Sequence, residues 1–500
     1  MSKVSVIGAG FSGLSAASFL AQKGYDVHVF EKHHQAGGRA RQWKTDGFTF
    51  DMGPSWYWMP DVFEKFFQNF GHSTSDFFEL KRLDPSYRVF FSESEVIDLP
   101  SSLEGQEELF EAIEPDSGAK LRQFLAEAKI KYDVGMRDLV YKPSLSPFEF
   151  IDHRVIRNAP RLDLLQSFTN HASKFFKDER LLQLISFPVL FLGAKPEKTP
   201  ALYSLMNYAD LALGTWYPMG GMKKLVDGMH QVAANQGVEF HFGESVQSLN
   251  LNNKNIQSLS TEKATYDTDA VMAGADYHHV ETKLLPSAMQ SYSAEYWDRR
   301  TLAPSCLLFY VGVNKKVEGI KHHNLFFDTD FSTHAKSIYD DPEWPDNPLF
   351  YVCCPSKTDD SVAPEGQENL FFLIPIAPGI NDDESLREKY FELLLDRLEK
   401  TAGVSIRENI VVKRSYCINN FIEDYNAFKG NAYGLANTLR QTAFMKPKIK
   451  SKKVKNLFYA GQLTAPGPGV PPSLISGEIS ANALAKSLPI NQNTSYESTI

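Results

Sequence analysis

Cysteine is scarce, with four residues in 500: Cys306, Cys353, Cys354 and Cys417. Four thiols so placed have neither the density of a disulfide framework nor metal-ligand spacing, which fits a reducing compartment. The adjacent pair reads as a piece of buried strand. Basic charge is not in excess either. With 52 Lys and Arg against 61 Asp and Glu, the formal net charge is -9 and the pI near 5.9. Nucleic acid is set aside as a partner, because phosphate binding needs a concentrated basic surface. Long apolar runs are also missing. The longest, about Leu181 to Ala194, is interrupted by Gln183, Ser186 and Pro188 and falls short of the roughly 20 residues that span a bilayer. Met1-Ser2-Lys3 enters an apolar strand with no basic leader and no small-residue cleavage site, so a cytosolic protein is expected. Histidines fall in adjacent pairs, His33-His34, His278-His279 and His322-His323. Neighbours in sequence point different ways on strand or helix, so no metal is expected.

The chain is long enough for two or three domains that share one active site. Val4 to Ile7 is an apolar strand, Leu14 to Lys23 has helical periodicity, Gly24 stops it, and Asp26 to Phe30 is a second strand. That is a βαβ unit. Tyr87 to Leu99 alternates like a hairpin, and Leu103 to Tyr208 is mostly helical. A second glycine cluster, Gly220-Gly221, precedes a helix over Lys223 to Gly237 and a strand over Val238 to Phe242. Further strands are expected at Ala270 to Ala273, Leu307 to Val313, Leu325 to Asp328, Leu349 to Cys353 and Leu370 to Pro375. Asp383 to Thr401 reads as amphipathic helix, a glycine cluster from Ala460 to Gly477 opens a last helix, and the tail from Pro489 is polar and frayed.

The motif that carries chemistry is Gly8-Ala9-Gly10-Phe11-Ser12-Gly13, set between strand and helix, with Glu31 ending the next strand. The first glycine makes the tight turn, the second admits a pyrophosphate to the backbone, and the third lets helix and strand pack closely. The helix N-terminus then favours the phosphate charge, and the carboxylate accepts ribose hydroxyls. The cofactor is therefore a dinucleotide. Gly37-Gly38-Arg39-Ala40-Arg41 brings two more glycines and a guanidinium suited to the same phosphates. Gly47 to Ser55 and the segment from Phe458 to Pro471 add further glycine-rich turns.

At these residues the sequence resembles the bacterial-type phytoene and carotenoid desaturases, within the larger FAD superfamily that includes amine oxidases and Rab GDP-dissociation inhibitors. The resemblance covers the first sixty or so residues, the Gly220-Gly221 region, Ala270 to His279 and the C-terminal forty. It implies that Gly8, Gly10, Phe11, Ser12, Gly13, Glu31 and Lys32 hold the ADP part of FAD and that Gly38 and Arg39 sit near the pyrophosphate. Val246 would meet the adenine side through its backbone. Gly53, Pro54, Ser55, Gly461, Gly469 and Val470 would lie near the flavin. Gly461 is followed by Gln462 where many flavoenzymes carry an acid, and no cysteine follows Cys417, so FAD is expected to be noncovalent.

The fold class implied is α/β: a Rossmann-like FAD-binding domain (1–85, 215–290 and 455–490), a mixed α+β substrate domain (86–100 and 291–454), a helical membrane-associating insert (101–214) and a flexible tail (491–500). Trp56, Tyr57 and Trp58 could line a channel for a polyene or belong to an aromatic core. Phe187 to Leu192 could dip into a membrane surface or form a buried helix. Asp152, beside His153 and Arg154, could supply an acid or base; Asp152 and Arg154 are the only catalytic candidates. The implied activity is removal of a hydride from a saturated carbon of an apolar carotenoid, with oxygen or a quinone as final acceptor and a peripheral place on the inner membrane. An amine oxidase and a non-redox prenyl-lipid carrier are the alternatives.

Overall fold

The computed structural model describes residues 1–150, 162–163, 166–190, 193–438 and 440–489; Asp152, His153 and Arg154 lie outside them. The core of the first half is a five-stranded, all-parallel sheet ordered Leu457–Tyr459, Ala270–Ala273, Lys3–Ile7, Asp26–Glu31, Glu239–Phe242. Lys3–Ile7 is central and is buried after its first residue, as a parallel strand covered on both faces must be. The helix Phe11–Gln22 is buried over almost its whole length. It lies between this sheet and the last helix, Val470–Ser487. Small residues set that crossing: a Cβ on Gly477 would stand 2.4 Å from Ser12 O.

A three-stranded antiparallel meander, Val246–Asn252, Asn255–Thr261 and Thr265–Asp267, flanks this sheet. The sequence reading did not mark these strands, nor the hairpin Gln42–Thr45 with Phe48–Asp51, nor the pairing of Leu80–Arg82 with Trp216–Pro218.

The second large sheet has seven strands, ordered Ile410–Tyr416, Ser305–Val313, Glu368–Ile376, Phe350–Cys353, His323–Phe326, Tyr87–Phe90, Val96–Leu99. It is antiparallel except where His323–Phe326 pairs with Tyr87–Phe90. Every residue of Ser305–Val313 is buried, and alternation sorts its rings. Phe309 meets Phe391 of the helix Glu384–Ala402, with centroids 4.8 Å apart. Tyr310 faces the other way and donates to Met52 O at 2.8 Å. That long helix begins where Asp383 accepts from the Leu386 N–H and ends at Gly403 in left-handed backbone.

Leu103–Ile113, Ser117–Val134, Phe168–Ala172 and Glu179–Leu190 supply the helical layer. Among the described residues no helix is long and apolar enough to cross a membrane. Phe187 faces inward: it is 5 % exposed and its ring packs against Trp56, Trp58, Tyr87 and Phe327. Residues 191 and 192, the end of the run expected to touch lipid, lie outside the described set. Cys353 ends its strand and Cys354 follows it, both buried and reduced.

Candidate functional site

The carboxyl ends of the parallel strands open onto one elongated pocket. Its walls come from remote segments, among them Gly8 to Ser12, Glu31 to Arg39, Glu244 to Val246, Gly274 to His279, Asp424 to Asn426 and Ala460 to Thr464. This is where an open α/β sheet binds ligands. The floor is bare backbone. A Cβ on Gly38 would lie 3.4 Å from Gly10 Cα, so two glycine loops face each other. Gly13 does not line the pocket; it sits beneath it, where a Cβ would stand 1.9 Å from Gly8 O.

Two features favour an anion there. The helix from Phe11 has no side-chain cap and no acid in its first turn, so its leading N–H groups and its dipole are available. Arg39 is half-buried; among the described residues its buried Nε has no partner, and Nη2 reaches Asn431 O at 3.3 Å and the Gln462 carbonyl oxygen at 3.1 Å. Burial lowers the pKa of the Arg39 guanidinium, because a desolvated cation wants a counter-charge. Asp276 is the acid nearest to supply one, and burial pushes its own carboxyl up to about 6. A pyrophosphate would answer the guanidinium better than one acid whose own charge burial disfavours.

Glu31 stands at one end of the pocket. Oε2 accepts from the Ala9 N–H at 2.8 Å and Oε1 from the His33 N–H at 2.9 Å, which leaves a lone pair on each oxygen for hydroxyl donors. Lys32 and Val246 also line this end. Beyond it, the Arg41–Asp424 ion pair holds the loop that carries Tyr425, whose ring lies between Arg39 and Arg41 at 5.1 and 5.2 Å. At the opposite end the Gly461 N–H donates to Ser476 Oγ at 2.9 Å, and Ser476 Oγ donates to Ala465 O at 2.7 Å. The last helix thereby fixes the loop that follows the strand. Gly469 and Val470 start that helix and Ser473, one turn on, reaches the pocket.

Gly53, Pro54 and Ser55 stand just outside the pocket wall. A Cβ on Gly53 would meet Arg39 O at 2.5 Å, so the segment abuts the pocket and leads away from it. Tyr57 bridges to Trp216 in extended backbone, and alternation therefore splits the aromatic triplet. Trp56 and Trp58 share a cluster with Tyr87 and Phe187. Tyr57 turns to the other face, against Phe63 and Phe78. Behind Trp58, its Nε1 donates to Thr215 Oγ1, which donates to Asp210; Tyr87 donates to the same carboxyl. Burial pushes Asp210 up to about 7.

The histidine pairs need a correction. His322 and His323 do not diverge: their ring centroids are 4.5 Å apart, because His322 precedes the strand and escapes its alternation. With Cys353 they bring three donor atoms within 4.8 Å of one another. Glu244, Asp276, Tyr277, His279, Asp424 and Tyr425 line the pocket without having been singled out as site residues. They are brought in by tertiary packing; Asp276, Tyr277 and His279 lie in the stretch Ala270 to His279 that the resemblance covers, and the other three had no such signal.

A family model for flavin-containing amine oxidoreductases matches residues 11–485. The carotenoid 3,4-desaturase of Haloarcula japonica is 42% identical over 97% of this chain and 98% of its own. The zeta-carotene-forming phytoene desaturase of Myxococcus xanthus is 31% identical over 95% of this chain and 92% of its own. Among solved structures, an oxidoreductase from Methanosarcina mazei superposes with a TM-score of 0.62 at 17% identity, covering 95% of this chain and 99% of that one. A putrescine oxidase redesigned at its cofactor site gives 0.61 at 14%, over 97% and 99%. These last two show the fold, a mixed α/β amine-oxidase architecture. With a dinucleotide pocket of this geometry, the chain belongs to the flavin-containing amine oxidoreductase family, in its bacterial-type carotenoid desaturase branch, and its cofactor is a flavin.

Proposed function

We propose that this chain is an FAD-dependent desaturase of a carotenoid, with the cofactor held noncovalently. The observation that carries the reading is an intact phosphate cradle, Gly8 to Gly13 facing Gly38 and Arg39, in a chain that aligns end to end with a carotenoid 3,4-desaturase. In this reading segments 1–85, 215–290 and 455–490 form the cofactor unit, and 86–100 with 291–454 the substrate unit.

Glu31 and Lys32 hold the ribose and adenine end with Val246, Arg39 and the helix N-terminus at Phe11 balance the pyrophosphate, and the loop from Gly461 to the helix at Val470 abuts the ring. Bound FAD supplies the hydride acceptor. The protein's own part is to lay a long apolar substrate beside it and keep water away. Trp56 and Trp58, with Tyr87 and Phe187 behind them, offer flat apolar contact for a polyene. No cysteine is among the pocket-lining residues, which supports noncovalent binding.

A peripheral place on the inner membrane is part of the proposal. Leu145, Phe148 and Phe444 are 43%, 76% and 38% exposed. Lys448 Nζ donates to the carbonyls of Ser144, Leu145 and Phe444, so one lysine ties these apolar tips together beside Lys450, Lys452 and Lys453. Exposed apolar side chains with a lysine between them suit an anionic lipid surface, from which the substrate would enter and to which a quinone acceptor would be close; oxygen is the other acceptor.

The test is an absorption spectrum of purified protein, then anaerobic mixing with detergent-solubilised phytoene and with a hydroxylated monocyclic carotenoid. Flavin bleaching with a red-shifted polyene is expected for one of them. Bleaching by a primary amine and by neither polyene would replace the reading with amine oxidation. A protein that binds the lipid but stays colourless after FAD addition would indicate a carrier.

A further inference from the structure

Desaturation releases a proton as well as a hydride, and a group beside the aromatic channel must accept it. One lies beyond Trp56. The indole is stacked on His323, with ring centroids 4.0 Å apart and planes 13° from parallel. Ser55 Oγ is 3.0 Å from the Tyr351 phenol oxygen, and that oxygen is 2.6 Å from His323 Nδ1. Tyr351 and His323 are buried, while Ser55 and Trp56 are only half-buried. The three polar groups therefore form a file that starts two residues from Gly53, at the pocket's edge, and runs into the seven-stranded sheet. Among the described residues His323 Nε2 has no hydrogen-bond partner. On its far side stands His322, whose Nδ1 is 2.7 Å from the part-exposed Thr358 Oγ1. Buried polar groups of this kind are costly where apolar side chains would pack, so a task other than packing is indicated.

We propose that Ser55, Tyr351 and His323 take up the proton released by desaturation, with Ser55 Oγ at the substrate and His323 as the terminal acceptor. This rests on the desaturase reading. Bound FAD would accept the hydride of one C–H bond, and this chain's residues deal with the proton of the next. The neighbouring C–H bond then breaks, its pair becomes the new C=C, and its proton passes to Ser55 Oγ. Ser55 gives its own proton to the Tyr351 oxygen, and Tyr351 gives its own to His323 Nδ1. The imidazolium returns the proton to bulk water on the His322 and Thr358 side.

A neutral relay suffices because loss of hydride leaves an allylic cation, whose adjacent C–H is strongly acidic. Burial holds His323 well below the ordinary imidazole range, and His322 beside it acts the same way; that weak basicity speeds release. Burial pushes the Tyr351 phenol up, so it stays protonated and can pass protons on. The groups that face this file are the Cys353 thiol and the Tyr433 phenol, both pushed up by burial, Asp51, pushed up to about 6, and His322, pushed down to about 3. Asp359 and Lys81 act on His322 from outside. Among the described residues no carboxylate hydrogen-bonds to His322, His323 or Cys353.

The experiment uses the FAD-loaded holoenzyme and the carotenoid that bleaches it. Tyr351→Phe should slow formation of the red-shifted polyene in a single anaerobic turnover roughly 100-fold or more. FAD and carotenoid dissociation constants should stay within twofold and the flavin spectrum should not change. Ser55→Ala, at the half-buried end, should do the same, and Ser55→Thr should restore the rate. Formation of the red-shifted polyene by Tyr351→Phe within threefold of wild type would overturn the relay while leaving the desaturase reading intact. A stoichiometric metal in the wild-type protein that His323→Gln loses would also overturn it. If no carotenoid bleaches the wild-type flavin, the desaturase reading fails first and the relay falls with it.

Discussion

At the scale of single residues, two positions show how little room the site leaves. Gly13 carries the close approach of the first helix to the first strand. Since an added Cβ would stand 1.9 Å from Gly8 O, Gly13→Ala must shift the phosphate loop. Purified Gly13→Ala protein is expected to be nearly free of flavin, with a flavin-to-protein absorbance ratio at least tenfold below wild type. Asp210 reports on the aromatic cluster instead. Its folded carboxyl keeps a proton up to about 7 against an ordinary value of 3.8. Between those values the native state holds a proton that the unfolded chain has lost, so this residue's contribution to stability falls as pH rises from about 4 to 7. Asp210→Asn keeps partners for Tyr87 and Thr215 and removes the titration. Melting temperatures of the variant at pH 5 and pH 8 should differ less than those of wild type, by an amount on the order of a few kcal/mol in stability.

Residues of this kind were unequally legible in the sequence. The phosphate loop could be read because its requirements are local: a turn, a bare backbone and a helix start within six positions. Asp424 and Tyr425 could not, since nothing in their own neighbourhood says that an Arg41–Asp424 ion pair swings them into a pocket built at the other end of the chain. Tyr351 and His323 are ordinary strand residues until Ser55 and Trp56 are folded against them.

At the scale of elements, periodicity worked where one environment held along a segment. The helices Phe11–Gln22 and Lys223–Asn235 and the strands Ala270–Ala273 and Ser305–Val313 stand close to where their apolar patterns put them. Short ladders escaped because three or four residues carry too little pattern, as at Leu80–Arg82 with Trp216–Pro218. The longer Ile410–Tyr416 escaped because its edge position leaves Val411 exposed and breaks the alternation. Two elements invite test. Gly477 lets the last helix touch the first, with Ser15 Cβ 2.7 Å from where its own Cβ would be. Gly477→Ala should part the two helices, lower stability by about 1–3 kcal/mol, and weaken flavin retention through Ser473 and Ser476. Phe187 anchors the helix Glu179–Leu190 to Trp56. Its replacement by Ala should cost about 3–5 kcal/mol, measurable as a lower melting temperature with flavin still bound.

At the scale of the whole molecule, the pocket joins segments from residue 7 to residue 473, so cofactor and fold are thermodynamically one system. FAD added to the apoprotein at a hundred times its dissociation constant should stabilise it by about 2.7 kcal/mol, seen as a rise in melting temperature that scales with the logarithm of FAD concentration. Adenosine diphosphate alone should give part of that rise, because the ribose and phosphate contacts proposed for Glu31, Arg39 and the Phe11 helix do not involve the ring.

The strand order of the parallel sheet also sets a timetable for synthesis. Lys3–Ile7 is made among the first residues, yet one of its two neighbours is Ala270–Ala273, which in turn is covered by Leu457–Tyr459. At about 5–20 residues per second, a nascent chain on the ribosome holds an apolar strand with one open edge for on the order of ten seconds to a minute before that neighbour appears. A chain cut short before Leu457 would keep Ala270–Ala273 as a bare, fully apolar edge, the kind of surface that pairs with other copies. Aggregation of nascent or truncated chains, rather than collapse of the finished enzyme, is the failure to which this topology is most exposed.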